Sequence, residues 1–493
     1  MSEHFDVVVV GAGLSGIGAG YHLQTKCPDR SYVILEGREA IGGTWDLFRY
    51  PGIRSDSDMH TLGFSFHPWT NAKAIADGPS IKAYVEDTAR TYGIDRHIRF
   101  GQRVLRADWS TADAAWTVTV ASGEETRTYT CNFLFMCAGY YNYAQGFRPE
   151  WPGEAAFAGR IVHPQFWPDD LDYAGKRVVV IGSGATAVTL VPEMARTAAH
   201  VTMLQRSPTY VVSRPSEDKV ANWLRGKLPA KLAYGLTRWK NVGLGQYFYG
   251  LTRKQPEKVK ERLIGMVREH LGPDYDVATH FTPRYNPWDQ RLCLVPDADL
   301  FASIKAGSAS VETGTIERFT PGGILLADGR EIAADVVVTA TGLELQLMSG
   351  LPLTVDGAAV NPAESFNYKG MMFSDVPNLA SVFGYTNASW TLKADLTAAY
   401  VCRLLNTMRK RGLRQCTPRV EGALGAAPFL DFSSGYVQRG LHLFPKQGDR
   451  SPWRVHQSYA KDVMALRYGS VDDEMEFSNP VPARAAVRMR EPA

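Results

Sequence analysis

Two glycine-rich loops, about 170 residues apart, constrain the fold of this chain more than any other feature. The first reads GAGLSG from Gly11 to Gly16, and the second reads GSGATA from Gly182 to Ala187. A valine-rich run precedes each loop, and a segment with the apolar spacing of a helix follows it. Glycines at such a strand–loop–helix junction allow a tight turn and let the pyrophosphate of a dinucleotide approach the backbone. The chain therefore predicts two dinucleotide-binding units.

The first unit carries its own signal for a ribose. We predict a strand at residues 6–10, a helix at residues 14–24 and a second strand at residues 32–36. Glu36, twenty residues after Gly16, ends the second strand. A carboxylate in this position accepts hydrogen bonds from ribose hydroxyls, so the unit fits an adenine dinucleotide without a 2′-phosphate.

The second unit ends differently. We predict a strand at residues 177–181, a helix at residues 188–196 and a strand at residues 200–205. Arg206 stands where the first unit has an acid. A guanidinium suits a 2′-phosphate, which a carboxylate would repel, so the second unit favours NADPH over NADH.

The strand pattern divides the chain into an α/β protein of two Rossmann-like domains. Residues 116–120 and 126–129 predict a hairpin of a small antiparallel layer, after which residues 133–136 return to the first sheet. The strand predicted at residues 335–339 resembles that one and is assigned to the same domain. The expected domains are thus an FAD-binding domain at 1–150 and 335–493, and an NADP-binding domain at 151–334 with a helical insertion at about 215–285. The last ten residues are expected to be loose.

Composition excludes several classes of protein. A length of 493 residues calls for two or three domains, and a net charge of +3 gives no reason to expect a nucleic-acid partner. We find no run of about 18 apolar residues and no signal peptide, so no transmembrane segment is expected. The six cysteines contain no CxxC pair. This usage indicates reduced thiols and a cytoplasmic protein.

One stretch departs from this even charge balance. Residues 219–262 carry 11 Lys and Arg against two acids, interleaved with tryptophan and tyrosine. We favour a helical insertion with a solvated basic face. Peripheral contact with a membrane surface, or with an acidic partner, remains the alternative.

Between the two loops lies a third motif. The segment from Phe157 to Pro168 has the spacing F-x-G-x-x-x-H-x-x-x-W-P. This spacing resembles the fingerprint of the Baeyer–Villiger monooxygenases, and the resemblance runs nearly end to end. The stretches GGTWDLFRYPGIRSDSDM, CAGYYNY, LQRSPTY, YNPWDQRL and GYTNASWTLKAD are most similar to the ethionamide-activating, FAD-containing branch of that family.

The resemblance implies an activity. Such enzymes use FAD, NADPH and O2 to convert ketones to esters or lactones through a C4a-peroxyflavin, and the same oxidant can sulfoxidise thioethers or thioamides. Arg291 matches the family's active-site arginine, and Asp56 matches the acid that orients it. Gln290 stands where relatives often have a lysine that helps to hold the 2′-phosphate. His163 and Trp167 belong to the interdomain linker, and Asn387, Trp390 and Lys393 are candidates for shaping the substrate pocket.

Asp56 has a second reading, as the N-cap of a helix at residues 57–62. No metal site is expected. The expected cofactor-binding residues, taken from the two loops and from the resemblance, are Gly11, Gly13, Ser15, Gly16, Glu36, Gly43, Thr44, Trp45, Asp46, Arg54, Ser55, Asp56, Val104, Gly182, Ser183, Gly184, Ala185, Thr186, Ala187, Val188, Arg206 and Ser207.

Other readings of the two loops are weaker. A flavin-containing monooxygenase that oxidises nitrogen or sulfur shares both loops but usually lacks the terminal Trp-Pro pair of the fingerprint. A disulfide reductase needs a paired redox cysteine, and a hydrolase needs a G-x-S-x-G elbow. A non-catalytic dinucleotide sensor would have no need of Arg291 or of the segment at residues 49–56.

Overall fold

The computed structural model describes residues 2–480. The prediction for the last ten residues lies outside this part of the chain. The α-helices, in chain order, are α1 Leu14–Lys26, α2 Thr44–Leu47, α3 Met59–Leu62, α4 Gly78–Thr91, α5 Ala185–Met194, α6 Lys219–Lys227, α7 Ala230–Lys254, α8 Pro256–Leu271, α9 Val277–Phe281, α10 Asp299–Lys305, α11 Trp390–Arg411, α12 Gly435–Gly440 and α13 Tyr459–Val463.

Most of the strands are short. In chain order they are β1 Glu3–Val10, β2 Tyr32–Leu35, β3 Ile98–Arg99, β4 Gln102–Ser110, β5 Ala115–Ser122, β6 Glu125–Met136, β7 Tyr141–Gly146, β8 Arg160–Val162, β9 Arg177–Ile181, β10 His200–Gln205, β11 Val211–Arg214, β12 Cys293–Pro296, β13 Ala309–Thr313, β14 Ile316–Thr320, β15 Gly323–Leu326, β16 Glu331–Ala333, β17 Val336–Thr339, β18 Leu343–Leu345, β19 Leu353–Val355, β20 Ala358–Ala359, β21 Asn367–Tyr368, β22 Met372–Phe373, β23 Leu379–Ser381, β24 Gln415–Pro418, β25 Ala426–Pro428, β26 Lys446–Gly448 and β27 Met475–Ser478.

The first sheet is built around β1. Its order is β20-β19-β4-β5-β6-β1-β2-β3, with β23 also paired to β6. β1 runs parallel to β2 and β6. Val7 and Val9 belong to one buried cluster, whereas Val8 and Val10 belong to another. A strand covered on both faces needs apolar residues at every position, which explains the uninterrupted valine run.

The antiparallel layer is not separate from this sheet. β6 pairs antiparallel with β5 through its first residues and parallel with β1 and β23 through its last ones. The predicted strands at residues 126–129 and 133–136 are therefore one strand of 12 residues. Its length lets one strand serve both layers.

The second sheet has the order β13-β10-β9-β17-β8. β9, α5 and β10 form the second predicted strand–loop–helix–strand unit. β17 pairs parallel with both β9 and β8. The assignment of residues 335–339 to the first domain is therefore wrong, because the strand completes the second sheet. Asp335 accepts a hydrogen bond from the Arg177 backbone N–H at 2.8 Å, which ties the start of β17 to the start of β9.

The predicted insertion is helical. It consists of α6 to α9, and α7 is its longest helix with 25 residues. Arg238 on α7 is buried and donates hydrogen bonds to the carbonyl oxygens of His60 at 2.9 Å and Gly63 at 2.7 Å. The insertion is thus fastened to the α3 region of the first domain. Within residues 2–480, no helix is long and apolar enough to cross a membrane.

Candidate active site

A single cavity of about 1230 Å³ is lined by both glycine-rich loops. Small-molecule and cofactor sites in proteins usually occupy roughly 300–1,000 Å³, so this cavity is large enough for more than one ligand. Of the predicted site residues, the cavity is lined by Gly11, Gly13, Ser15, Glu36, Gly43, Thr44, Trp45, Arg54, Ser55, Asp56, Val104, Gly182, Ser183, Gly184, Ala185, Thr186, Arg206, Ser207 and Arg291. Gly16, Asp46, Ala187 and Val188 are absent from the lining.

The first loop has the backbone that a bound pyrophosphate requires. Gly11 has φ +102°, and a Cβ there would lie 2.8 Å from the Cys137 carbonyl oxygen. A Cβ on Gly16 would lie 1.8 Å from the Gly11 carbonyl oxygen, so Gly16 packs α1 against the loop without lining the cavity. Both glycines permit the close approach that leaves the N-terminus of α1 open to the cavity. These residues fit the phosphates of FAD.

Glu36 lies at the end of β2 and is buried beside the same loop. Its carboxylate accepts hydrogen bonds from the backbone N–H of Ala12 at 2.7 Å and of Arg38 at 2.9 Å. Burial raises the pKa of the Glu36 carboxyl, and these two hydrogen bonds oppose the rise. The carboxylate is therefore held in place where a ribose would lie.

The segment that follows β2 closes over the first loop. Gly43 has φ +56°, and a Cβ there would lie 3.1 Å from the Gly13 Cα. Asp46 is buried below the cavity, where its carboxylate pairs with Arg38 at 2.6 Å and Lys82 at 2.9 Å. Asp46 therefore anchors this segment and does not face the cavity.

Arg54 and Ser55 line the cavity but are also engaged elsewhere. The Arg54 guanidinium forms an ion pair with Asp299 at the start of α10. The Ser55 hydroxyl donates to the Ser57 carbonyl oxygen at 2.7 Å. Both contacts shape the loop that leads to Asp56.

The second loop repeats the geometry of the first. Gly182 has φ +140°. Gly184, which precedes α5, has φ −80° and ψ −175°, close to the φ −80° and ψ −169° of Gly13 before α1. A Cβ on Gly184 would meet nothing within 4 Å, so the space beside it is open. This loop fits a second dinucleotide.

Arg206 follows β10 and is exposed at the cavity. Ser207 and Gln290 line the same cavity. The Ser183 hydroxyl is 2.8 Å from the Thr209 hydroxyl, which fixes the loop against the chain after Ser207. Ala187 and Val188 are buried within α5 and support the loop from below.

Arg291 and Asp56, 235 residues apart in the sequence, form an ion pair in the cavity. The charge of Asp56 raises the pKa of Arg291, so the guanidinium stays charged at every working pH. The loop before it contains Trp288 at φ +70°, an unfavourable conformation for this residue. Asp289 steadies this loop by accepting from Arg253 at 2.8 Å.

Asp56 does not cap a helix. α3 begins at Met59, and the Asp58 carboxylate accepts from the Thr61 backbone N–H at 3.1 Å. The predicted helix at residues 57–62 is therefore two residues too long at its start. Since Asp58 is the cap, the Asp56 carboxylate is left to face Arg291.

Four aromatic residues near Arg291 line the cavity, and only Trp390 among them was predicted as a candidate. The Tyr140 and Tyr141 hydroxyls are 2.9 Å apart, and Tyr140 stacks on Trp390 with ring centroids 5.1 Å apart. Trp390 donates to the Ser15 hydroxyl at 2.8 Å. Tyr436 on α12 lines the same cavity as these three residues. The two consecutive tyrosines just after β6 could have indicated Tyr140 and Tyr141 as site residues. No motif around Tyr436 indicates a site residue.

The other two candidates for the substrate pocket, Lys393 and Asn387, and the linker residue His163 do not line the cavity. Lys393 is buried and pairs with Asp462 at 2.9 Å. Asn387 donates to the Gln457 carbonyl oxygen at 3.0 Å. His163 begins the turn Pro164–Phe166, and its Nδ1 accepts from the Gln165 backbone N–H at 3.2 Å. Burial lowers the pKa of His163, as it does for a packed structural histidine.

All six cysteines are buried free thiols. Within residues 2–480, no group of His, Cys, Asp or Glu has a geometry that could hold a metal ion.

Comparisons with known proteins identify relatives of this chain. Residues 6–224 match the family described as flavin-binding monooxygenase-like. The chain is 55% identical over 476 residues to the FAD-containing monooxygenase EthA of Mycolicibacterium smegmatis, covering 96% of this chain and 97% of that protein. The protein of the same name from Mycobacterium tuberculosis is also 55% identical over 476 residues, with the same coverage.

Solved structures show the same fold. An oxidized steroid monooxygenase bound to NADP superposes with a TM-score of 0.74 at 21% identity, covering 97% of this chain and 100% of that chain. An open structure of cyclohexanone monooxygenase gives a TM-score of 0.69 at 22% identity, covering 85% of this chain and 90% of that chain.

Proposed function

The chain belongs to the family of FAD-containing monooxygenases, and from this premise we propose that it is an NADPH-dependent Baeyer–Villiger monooxygenase. It takes O2 and a small-molecule ketone and inserts one oxygen atom beside the carbonyl, which gives an ester or a lactone. The observation that carries the proposal is the Arg291–Asp56 ion pair in a cavity lined by both dinucleotide loops.

The two loops divide the cofactors between them. The Gly11–Gly16 loop and Glu36 bind FAD, and the Gly182–Ala187 loop with Arg206 and Ser207 binds NADPH. Trp45, Thr44 and Val104 line the same cavity and would contact the bound FAD. FAD, when bound and reduced, supplies the chemistry that activates O2.

Arg291 provides the charge that this chemistry needs. Negative charge gathers on oxygen when the oxidant adds to the carbonyl, and a fixed guanidinium stabilises it without reorganisation. Asp56 holds the guanidinium in place and keeps it charged. Arg291 is thus the catalytic residue, and Asp56 is its positioning residue.

Oxygen transfer to sulfur is proposed as a side activity of the same site. A thioether or thioamide sulfur attacks the oxidant directly and forms no oxyanion on the substrate. It therefore depends less on Arg291 than the ketone reaction does. We propose a cytoplasmic location, because all six cysteines are buried free thiols.

Product analysis tests the proposal. The purified protein should be yellow, and it should oxidise NADPH faster when a linear aliphatic or aryl-alkyl ketone is added. Gas chromatography with mass spectrometry should then detect the ester that corresponds to the ketone. A protein that consumes NADPH but yields only hydrogen peroxide, or only sulfoxides across a panel of ketones and thioethers, would refute the Baeyer–Villiger assignment.

A further inference from the structure

The helical insertion exposes an apolar stripe. Along α7, the buried positions include Ala233, Tyr234, Thr237, Arg238 and Val242, which face the first domain. Other positions of α7, most of them on the opposite face, carry large apolar side chains that remain open to solvent. They are Leu232, Leu236, Trp239, Leu244 and Tyr247, and their exposed fractions are 52, 48, 56, 60 and 70%.

The neighbouring helix extends this stripe. Val220 and Trp223, three residues apart on α6, are 49% and 63% exposed. α6 and α7 pack against each other, so the exposed apolar residues of the two helices belong to neighbouring elements of the insertion. Scattered exposed apolar residues are ordinary, but seven within two adjoining helices form a surface that water does not favour. We call this surface, made of the seven residues named above, the apolar stripe.

Basic residues outnumber acidic ones around the stripe. Residues 219–256 contain eight Lys and Arg and no Asp or Glu. Lys227 and Lys231 are exposed in the α6–α7 connection, and Lys219 is exposed at the start of α6. Tryptophan and tyrosine with flanking lysines are typical of a helix that lies in the headgroup region of a membrane. Lysine stems can cover apolar surface while their ammonium groups reach the phosphates.

Other occupants fit less well. A second copy of the chain, packed symmetrically on the stripe, would bring lysines of one copy towards lysines of the other. The segment at residues 481–493 has three arginines and one acid, so its charge repels this surface. An anionic lipid surface offers both the apolar layer and the opposite charge.

We propose that the apolar stripe docks the protein on the surface of a membrane that contains anionic phospholipids. α7 would lie along the interface over ~37 Å, the length of a helix of its size at 1.5 Å per residue. The exposed side of the insertion thus carries large apolar residues as well as the basic residues expected from composition.

The docking helix also reaches the catalytic loop. Near the C-terminal end of α7, Arg253 pairs with Asp289, and the Tyr249 ring is 6.0 Å from the Trp288 ring. Both partners belong to the loop that carries Arg291. Docking would therefore hold the Arg291 side of the cavity near the lipid surface, where apolar substrates are concentrated.

Vesicle flotation tests the docking without any turnover. The yellow holoenzyme is mixed with vesicles of phosphatidylglycerol and phosphatidylcholine in equal parts, or of phosphatidylcholine alone, and centrifuged through a sucrose gradient. We expect flotation with the anionic vesicles, weak flotation with the neutral ones, and loss of flotation at high salt. The variants are Trp223→Ser/Trp239→Ser and Lys227→Glu/Lys231→Glu. Each should lower the partition coefficient by roughly twenty-fold.

Matched controls alter exposed residues outside the stripe. Phe100→Ser, at a side chain 37% exposed, and Lys305→Glu, at the end of α10, should leave flotation unchanged. The flavin spectrum and the melting temperature of every variant show whether it is folded.

Three results would overturn the proposal. One is a wild-type protein that stays with the soluble fraction in the presence of anionic vesicles. Another is equal loss of flotation in the control variants. The third is a dimer, seen by light scattering without lipid, that only the Trp223→Ser/Trp239→Ser variant dissociates while no vesicles bind. That result would assign the stripe to self-association. None of these results bears on oxygenation, so the proposed function would stand or fall separately.

Discussion

Arg291 is expected to act in only one half of the reaction. Hydride transfer from NADPH needs the two cofactor rings to be stacked, whereas oxygen insertion needs a cation beside the developing oxyanion. In Arg291→Ala, NADPH should still bleach the flavin absorbance, and ester formation should slow by roughly a hundred- to a thousand-fold. Arg291→Lys should recover little, because a point charge does not reproduce the planar fork held by Asp56.

Rapid mixing of the reduced variant with O2 and then with a ketone separates the two halves. Arg49→Ala is the control, since Arg49 is 63% exposed and pairs with Asp46 outside the cavity. Ester formation by Arg291→Ala at near the wild-type rate would show that another group stabilises the oxyanion.

Arg206 should determine the choice of nicotinamide cofactor. Its guanidinium is exposed at the cavity beside the second loop, where it can reach a 2′-phosphate. Arg206→Ala should raise the KM for NADPH by roughly ten-fold, because Gln290 leaves the site without the second cation common in relatives. The KM for NADH should hardly change. Steady-state kinetics with both cofactors check this, with Arg196→Ala, at an exposed residue just after α5 that does not line the cavity, as control. An equal rise of both KM values would show that Arg206 does not bind the phosphate.

Glu36 should make FAD binding depend on pH. Burial raises the pKa of this carboxyl above its usual value of 4.5 in the FAD-free protein. Below the raised pKa the group is protonated, whereas ribose binding uses the carboxylate, so FAD binding releases a proton. The Kd for FAD should therefore fall as pH rises through the raised pKa and then level off. Fluorescence titration should show a weaker and pH-independent Kd for Glu36→Gln; an equal pH slope in both proteins would exclude Glu36 as the cause.

At the level of elements, the apolar runs of the sequence predicted the bounds of the buried parallel strands. β1, β9 and β10 lie within three residues of their predicted bounds, because a buried parallel strand must be apolar throughout and must stop at the glycine loop. β17 was placed in the wrong sheet. Its sequence, Val-Val-Val-Thr, suits either sheet equally, and only the tertiary pairing with β8 and β9 decides.

The site also contains residues that the local sequence predicts and residues that only the tertiary structure brings together. Each glycine loop and the charged residue after it, Glu36 or Arg206, could be predicted from the spacing within its own strand–loop–helix–strand unit. Arg291, Asp56 and Tyr436 come from three distant segments, so the resemblance predicted the first two and nothing indicated the third. Asp56 was considered as a helix cap, whereas Asp58 is the cap, because the helix was predicted to begin two residues too early.

Alanine substitutions at two glycines of the second loop should have different effects, one on stability and the other on NADPH binding. A Cβ at Gly182 would lie 2.3 Å from the Ala340 carbonyl oxygen and would force φ +140° on an L-residue. Gly184 has an ordinary φ and open space. Gly182→Ala should therefore lower the melting temperature of the protein, whereas Gly184→Ala should leave it nearly unchanged and weaken NADPH binding. Calorimetry and NADPH titration check both; a destabilised Gly184→Ala protein would mean that the loop is more crowded than the structure shows.

At the level of the whole molecule, two sheets bring two dinucleotide loops to one cavity. The helical insertion contacts both the α3 region and the loop that carries Arg291. Arg238 fastens α7 to the α3 region, and Arg253 fastens the same helix to the Arg291 loop. The chain thus combines a site for the electron donor, a site for the flavin and a fixed cation. This combination is the basis for assigning oxygen insertion to it.

Labelled oxygen tests this assignment most directly. The holoenzyme is supplied with NADPH, a ketone and ¹⁸O2, and the product is examined by mass spectrometry. If the assignment is correct, the ester or lactone carries one ¹⁸O atom at its singly bonded oxygen and an unlabelled carbonyl oxygen. Oxidation of NADPH with an unlabelled ester, or with no ester from any ketone tested, would contradict it.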